Sequence, residues 1–449
     1  MDTSAIFKAY DVRGTYPDQL NEEVARAVGS AFATFAKSPR IVVARDMRTS
    51  SGPLVDAFTR GARAVGVEVV DVGLASTDFL YFASGFLDVP GAMFTASHNP
   101  AQYNGVKLCL AGAAPIGAES GLGEIEALTN EFAASPATGA LAARRELDLT
   151  REWVDHVHSF VDVSSFRPLR VVADTANGMG GFVAPLVFAG LPFDLEILYP
   201  ELDGTFPNHP ADPLNPENLR DLQRRVLDSG ADVGLAFDGD ADRVFLIDER
   251  AQPISGSTTT AMVAQAMLRR APGATVLYNV ICSKSVAEVI AEEGGVGIRT
   301  RVGHSYIKQV MAETGAIFGG EHSGHYYYRD NYRADSGIIT AFVVLELLSA
   351  STAPLSELAA PFLRYAASGE INIDVDDPAG VVERVSATLR DGGVTIDRLD
   401  GLTAEYGEWW FNLRASNTEP LLRLNVEAND DASVDAHVRD VLALVKEDH

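Results

Sequence analysis

Four short polar runs stand out by residue type and spacing, and each suits the handling of phosphate. Thr95-Ala96-Ser97-His98-Asn99-Pro100 follows the apolar stretch Gly91–Phe94, which reads as a strand, and Asn-Pro turns the chain out of it. A serine at such an exit, among small neighbours, is expected to offer its hydroxyl to a ligand. Asp238-Gly239-Asp240-Ala241-Asp242-Arg243 follows a strand ending at Phe237. Carboxylates at i, i+2 and i+4 of extended chain lie on one side, so Asp238, Asp240 and Asp242 are expected to converge on a hard cation. Three anions held that close repel unless a metal neutralises them. Arg243 beside them is placed to clamp a phosphate.

The acidic run also fits the first half of a calcium-binding EF-hand loop, with Glu249 at position 12. That reading fails at position 6, where the sharp turn needs Gly and the chain has Arg243, and Val244–Ile247 reads as a strand. In Gly319-Gly320-Glu321-His322-Ser323-Gly324-His325, the glycines let backbone approach a ligand, and Glu321 and Ser323 alternate as acceptor and donor for sugar hydroxyls. A zinc site on His322 and His325 lacks a third ligand at matching spacing. Arg414-Ala415-Ser416-Asn417-Thr418-Glu419-Pro420 gathers a guanidinium, hydroxyls and an amide in one loop, a grip for a phosphate dianion. Asn177-Gly178-Met179-Gly180-Gly181 lacks dinucleotide-fingerprint spacing and reads as a helix-entry turn.

These runs need strands and helices to hold them. Asn21 caps a helix striped by Val24, Val28, Ala31, Phe32 and Phe35; Ile41–Ala44 and Val67–Val72 read as strands around a second striped helix at Leu54–Val65. The α/β pattern restarts at Leu169 and at Thr275, each time with a polar loop after the strand, which predicts three related α/β domains in tandem. Leu355–Gly369 reads as helix then linker. Beyond it, strands at Ile371–Val375, Val394–Leu399, Glu408–Leu413 and Leu421–Val426 and a last helix around Val434–Val445 predict a separate α+β domain.

The chain has 449 residues, 47% hydrophobic, and no apolar run near the ~18 residues of a membrane span. The start, Met-Asp-Thr-Ser-Ala-Ile-Phe-Lys, does not read as a secretory signal. Two cysteines, Cys109 and Cys282, exclude a disulfide framework and point to the cytoplasm. A net charge of −26 argues against nucleic-acid or anionic-membrane partners, so an anionic substrate must be drawn in by local Arg and Lys.

Taken in order, the four runs resemble the α-D-phosphohexomutases, which include phosphomannomutase and phosphoglucomutase, along essentially the whole chain. The resemblance implies α/β domains with mixed sheets at 1–147, 148–252 and 253–368 and an α+β domain at 369–449, around a central active-site cleft. It implies a phosphoserine at Ser97, which binds Mg²⁺ together with Asp238, Asp240 and Asp242. Arg13, Lys107, His304 and Arg243 then serve catalysis, Lys107 and His304 as candidates for proton transfer. Lys284, Glu321, Ser323 and His325 line the sugar, and Arg414, Ser416, Asn417 and Thr418 hold phosphate. The departure at Ala241, where many members carry Gly or a bulkier residue, leaves the ligands in place. The implied reaction interconverts mannose 6-phosphate and mannose 1-phosphate through a hexose 1,6-bisphosphate, which also acts as activator. Glucose phosphates are an alternative substrate. Glucosamine mutases usually carry Gln at the position of His322. An aspartyl-phosphate phosphatase using Asp238, or a non-catalytic sugar-phosphate sensor, would leave Ser97 unexplained or unphosphorylated. The expected partners are small hexose phosphates, with the chain a monomer or homodimer.

Overall fold

Asn21 opens the first long helix, its side-chain oxygen accepting from the backbone N–H of Glu23 and Val24 at 3.1 Å each. Helix Glu22–Ala36 then buries Val24, Val28, Ala31 and Phe32 in a core shared with Ile41, Val43 and Phe94, as the 3.6-residue period predicts. The structure is a computed structural model and describes residues 3–117, 120–390, 394–416 and 421–446.

Three α/β domains follow one another, each built on a mixed sheet. The first sheet runs Val12–Thr15, Tyr103–Leu110, Gly91–Phe94, Arg40–Arg45, Glu68–Leu74 and Arg144–Glu146, with Tyr103–Leu110 antiparallel to both neighbours and Ala114–Pro115 paired beside it. The second runs Pro253–Ile254, Val244–Asp248, Val233–Phe237, Leu169–Asp174 and Phe193–Leu198. The third runs Val296–Thr300, Thr275–Asn279, Phe318–Gly320 and Tyr326–Tyr328. Each has three parallel strands with an antiparallel hairpin partner at one side, Val244–Asp248 in the second sheet, where Pro253–Ile254 pairs beyond it, and Tyr326–Tyr328 in the third. The fourth domain is an antiparallel sheet, Ala366–Asp374, Leu421–Ala428, Trp410–Ala415, Leu402–Glu405 and Thr395–Asp397, with helices Pro378–Arg390 and Asp431–Lys446.

One apolar core runs through the first three domains, joining Phe79 and Met93 to Val171 and Phe237 and on to Val276 and Phe342. The fourth has its own core around Leu402, Phe411, Leu424 and Val441. Displacing the fourth domain therefore breaks polar contacts rather than a shared hydrophobic interior. Helices Thr77–Leu87 and Gly337–Ser349 show little amphipathic period, because the interior covers most of their surface.

The connector differs from expectation. Leu355–Ala359 is helical, a 3₁₀ turn covers Ala360–Phe362, and the strand of the fourth sheet already begins at Ala366. The helix read at the start of Leu355–Gly369 is thus present, while the linker read after it shortens to Leu363–Tyr365, and even there Arg364 pairs with Glu288 and Glu292 while the Tyr365 hydroxyl donates to Glu288. Across the seam between the third and fourth domains, the Glu427 carboxylate accepts from the Lys284 N–H (3.0 Å) at the start of helix Lys284–Glu292. Asp400 accepts from the Val302 N–H (2.8 Å), and Arg299 pairs with Glu405 and Asp397. Among the described residues no helix is long and apolar enough to cross a membrane. Cys109 and Cys282 are buried and unbridged.

Candidate active site

The serine, acidic and sugar loops occupy the same place in their three sheets. Each is the turn from a parallel strand into its antiparallel partner: Gly91–Phe94 into Tyr103–Leu110, Val233–Phe237 into Val244–Asp248, and Phe318–Gly320 into Tyr326–Tyr328. The C-terminal edge of a parallel sheet is where ligands gather in such folds.

Ser97 is not held out to solvent as expected. It is buried, adopts a left-handed conformation (φ 48°), and its hydroxyl donates to Asp238 Oδ2 at 2.6 Å. The Ser97 N–H is held by Thr95 Oγ1 at 2.9 Å. Arg48 fixes the loop from beneath. Its guanidinium donates to the carbonyls of Ser97 (2.8 Å), Asn99 (2.6 Å), Pro100 (2.9 Å) and Tyr103 (2.9 Å), and Asp46 lies 3.2 Å from its Nε. Arg13 reaches the same loop through Asn99 Oδ1 at 2.6 Å and pairs with Asp11.

The acidic loop approaches so closely that a Cβ on Gly239 would sit 2.4 Å from the Ser97 carbonyl oxygen. Its carboxylates converge, though not by the extended geometry predicted. The chain turns, with Ala241 left-handed (φ 59°), because the loop must close an antiparallel hairpin. The glycine-rich run 177–181 does lead into a helix, Gly180–Phe188, and its Met179 N–H donates to the Gly239 carbonyl at 2.9 Å.

Asp238, Asp240 and Asp242 are buried, and ligand atoms from all three lie within 4.8 Å of one another. Asp238 also receives Arg243 Nε at 2.9 Å. Lys107 Nζ bridges Asp240 Oδ2 (2.7 Å) and Asp242 Oδ2 (2.6 Å). Asp240 Oδ1 and Asp242 Oδ1 are buried without a hydrogen-bond partner. An all-oxygen donor set with orphaned anionic atoms fits a hard divalent cation. Burial, with Asp240 and Asp242 adding repulsion against the pull of Arg243, pushes Asp238 up to about 7. Burial opposes charge on Lys107 too, but the two aspartates outweigh it and hold the ammonium well above its usual range.

The third domain contributes His304, His325 and Glu321. His304 opens helix His304–Thr314 and packs against Tyr10 with ring centroids 5.3 Å apart. His325 Nδ1 lies 2.7 Å from Asp335 Oδ2, and Asp335 is paired in turn with the buried Lys308 at 3.0 Å. His322 turns away from His325 toward Ser257 (3.0 Å), which disposes of a zinc pair. Glu321, read as a sugar acceptor, is buried and already accepts from the Gly303 N–H (3.0 Å), Asn279 (3.2 Å) and the Tyr327 hydroxyl (2.7 Å). Ser323 is half-buried and its hydroxyl makes no hydrogen bond among the described residues.

Lys284 lies at the end of the third domain that meets the fourth. Its Nζ donates to the Gly407 carbonyl at 2.6 Å and lies over Tyr365, at the seam with the fourth domain rather than beside Ser97. Arg414 is buried, with Nη2 on Glu370 at 2.8 Å, and the Ser416 N–H donates to the Leu421 carbonyl. Asn417 and Thr418 lie outside the described residues. Arg48, Thr77, Lys308 and Asp335 escaped the sequence reading. Arg45-Asp46-Met47-Arg48 after a strand is the one signal that could have flagged the first of them.

Four half-buried imidazoles split by direction. Burial holds His304 and His322 below 6.5. They stay neutral in the fold while the unfolded chain takes up protons, so the stability they contribute is present above about pH 6.5 and lost below it. For His209 and His325 burial also pulls downward, but Asp174 in one case and Asp242 with Asp335 in the other raise them. Their contribution is full below about pH 6.5 and lost as pH rises through the raised value. His209→Gln should therefore lessen the loss of thermal midpoint as pH rises from about 6.5 to 8 and leave the acid side unchanged. An unchanged loss over that window would contradict the direction given for His209.

Four family descriptions tile the chain: Phosphoglucomutase/phosphomannomutase, alpha/beta/alpha domain I over residues 4–134, domain II over 151–252, domain III over 255–365, and the C-terminal domain over 370–444. The chain belongs to the phosphoglucomutase/phosphomannomutase family. Among relatives in this family, the Xanthomonas campestris pv. campestris protein named Phosphohexose mutases is 40% identical over 434 residues, covering 96% of this chain and 97% of its own. An Escherichia coli Phosphomannomutase is 39% identical, covering 98% and 99%. The crystal structure of a phosphoglucomutase/phosphomannomutase family protein from Burkholderia thailandensis superposes with a TM-score of 0.91 at 32% identity, covering 99% of this chain and 98% of that one.

Proposed function

We propose that this phosphohexomutase-family chain is a phosphomannomutase, converting mannose 6-phosphate and mannose 1-phosphate into each other through phosphorylated Ser97 and a hexose 1,6-bisphosphate. The reading rests above all on the Ser97 hydroxyl, 2.6 Å from a carboxylate of a buried acidic cluster that retains orphaned oxygens. The mannose assignment leans on the name of the E. coli relative. Glucose phosphates are the second substrate, since the family description that matches the chain names both mutases.

In the first step the P–O bond to Ser97 Oγ breaks while a new P–O bond forms to the free sugar hydroxyl, whose proton leaves to a nearby base. The Ser97 oxygen released in that step takes up a proton; in the second step it gives that proton up and bonds the other phosphate of the bisphosphate as the P–O bond from that phosphate to the sugar breaks, and the freed sugar oxygen is protonated. Mg²⁺ bound by Asp238, Asp240, Asp242 and the Ser97 oxygen would supply positive charge against the transferring group. Arg243 has a buried Nη2 without a partner, a donor ready for a phosphate oxygen while Nε stays on Asp238. The neutral His304 suits proton acceptance. Lys107, kept cationic, suits charge neutralisation rather than the role of base. A phosphatase using Asp238 as nucleophile is disfavoured, because its Oδ2 is already engaged by Ser97 and Arg243.

Intact mass before and after incubation with glucose 1,6-bisphosphate should show a gain of about 80 Da on Ser97. No gain would overturn the mutase reading. The ratio of kcat/KM for mannose 1-phosphate and glucose 1-phosphate, with bisphosphate present, then decides the sugar.

A further inference from the structure

The serine and the acidic loop belong to different domains, so the reacting oxygen and its carboxylates must be kept in register across a seam. Thr77, the first residue of helix Thr77–Leu87, grips the acidic loop twice. Its N–H donates to the Asp240 carbonyl at 3.1 Å, and its hydroxyl donates to Asp240 Oδ2 at 2.5 Å. The helix behind it is immobilised. Asp78 accepts from Ser336 Oγ of the third domain at 2.6 Å, and Phe79 stacks on Trp153 with centroids 5.0 Å apart.

With Lys107 also on Asp240 Oδ2, that oxygen is held by two side-chain donors from the first domain, while Oδ1 stays buried and unpartnered. A carboxylate tethered at one oxygen cannot rotate, so the other oxygen keeps a fixed direction. We propose that Thr77 is a positioning residue for the cation site, orienting Asp240 and locking the acidic loop to the domain that carries Ser97. This rests on the reading of Asp238, Asp240 and Asp242 as metal ligands. Partners of ligating groups typically matter about 10- to 100-fold in metal affinity or activity.

The test measures Mg²⁺ binding to the full chain by calorimetry, alongside kcat and KM for the hexose phosphate. Thr77→Val keeps the shape and deletes the hydroxyl; it should weaken Mg²⁺ binding about 10-fold or more and lower kcat, with KM nearly unchanged. Thr77→Ala, which places no methyl against the carboxylate, should weaken binding likewise if the valine variant is poorly folded. Thr77→Ser keeps the donor and should restore most of both. Wild-type Mg²⁺ affinity in both hydroxyl-deleted variants, or a serine variant as weak as valine, overturns the assignment of Thr77. Asp240→Asn separates the two levels. If it loses Mg²⁺ while the Thr77 variants do not, only the positioning role falls; if it binds Mg²⁺ as the wild type does, the metal reading falls with it.

Discussion

Ser97→Ala should lower mutase turnover by roughly four orders of magnitude or more, the scale seen when a covalent nucleophile is removed. The substitution deletes one oxygen and little else. Alanine tolerates the backbone about as well as serine does at φ 48°, Arg48 still holds the loop carbonyls, and Asp238 keeps Arg243. The stability cost should be only about 1 kcal/mol, the worth of one hydrogen bond. Initial rates at saturating bisphosphate, with the thermal midpoint as a folding control, check the prediction. A variant retaining a tenth of the wild-type rate would mean that another atom relays the phosphoryl group.

Arg48→Met should be the most damaging single change to stability outside the reacting groups, at about 3–5 kcal/mol. Its side chain is fully buried, and its removal takes the guanidinium donors from four carbonyls and the counter-charge from the buried Asp46, although Pro100 keeps the Tyr103 N–H and Asp46 the Ser51 hydroxyl. Arg48 also lies over the Phe206 ring of the second domain, 5.1 Å from its centroid, so the loss is felt on both sides of the seam. Arg48→Lys should recover only part of this, because an ammonium cannot span four acceptors as a planar guanidinium does. Denaturant unfolding of both variants checks it. The separate core of the fourth domain makes more than one transition the expected form, and the comparison applies to the transition that carries the first three domains. A shift of less than about 0.5 kcal/mol would refute the role given to Arg48.

The fold was legible where pattern and period are strong. The stripe behind Asn21, the strand before each polar run and the change of grammar after the third domain all follow from hydrophobic spacing. Thr77–Leu87 and Gly337–Ser349 were harder, since a helix covered on nearly every side has little contrast between faces. In the candidate site, residue types such as the three aspartates could be read, but their partners could not. Arg48 meets Ser97 across 49 positions, and Thr77 meets Asp240 across 163. Such long-range pairs leave no local periodicity. Lys284, next to a strand end, carries no local signal of which way it points; its Nζ meets the Gly407 carbonyl across 123 positions.

The common placement of the serine, acidic and sugar loops has a further consequence. A turn that closes a hairpin can grow, shrink or change composition while the ladder on either side keeps its pairing, whereas a crossover connection must also carry a helix over the sheet. The three sheets thus act as identical sockets, and the reagents plugged into them are modular. On the proposed function, one socket holds the nucleophile, one the chelating triad and one the recognition segment, so new substrate scope could evolve at the third without recasting the other two.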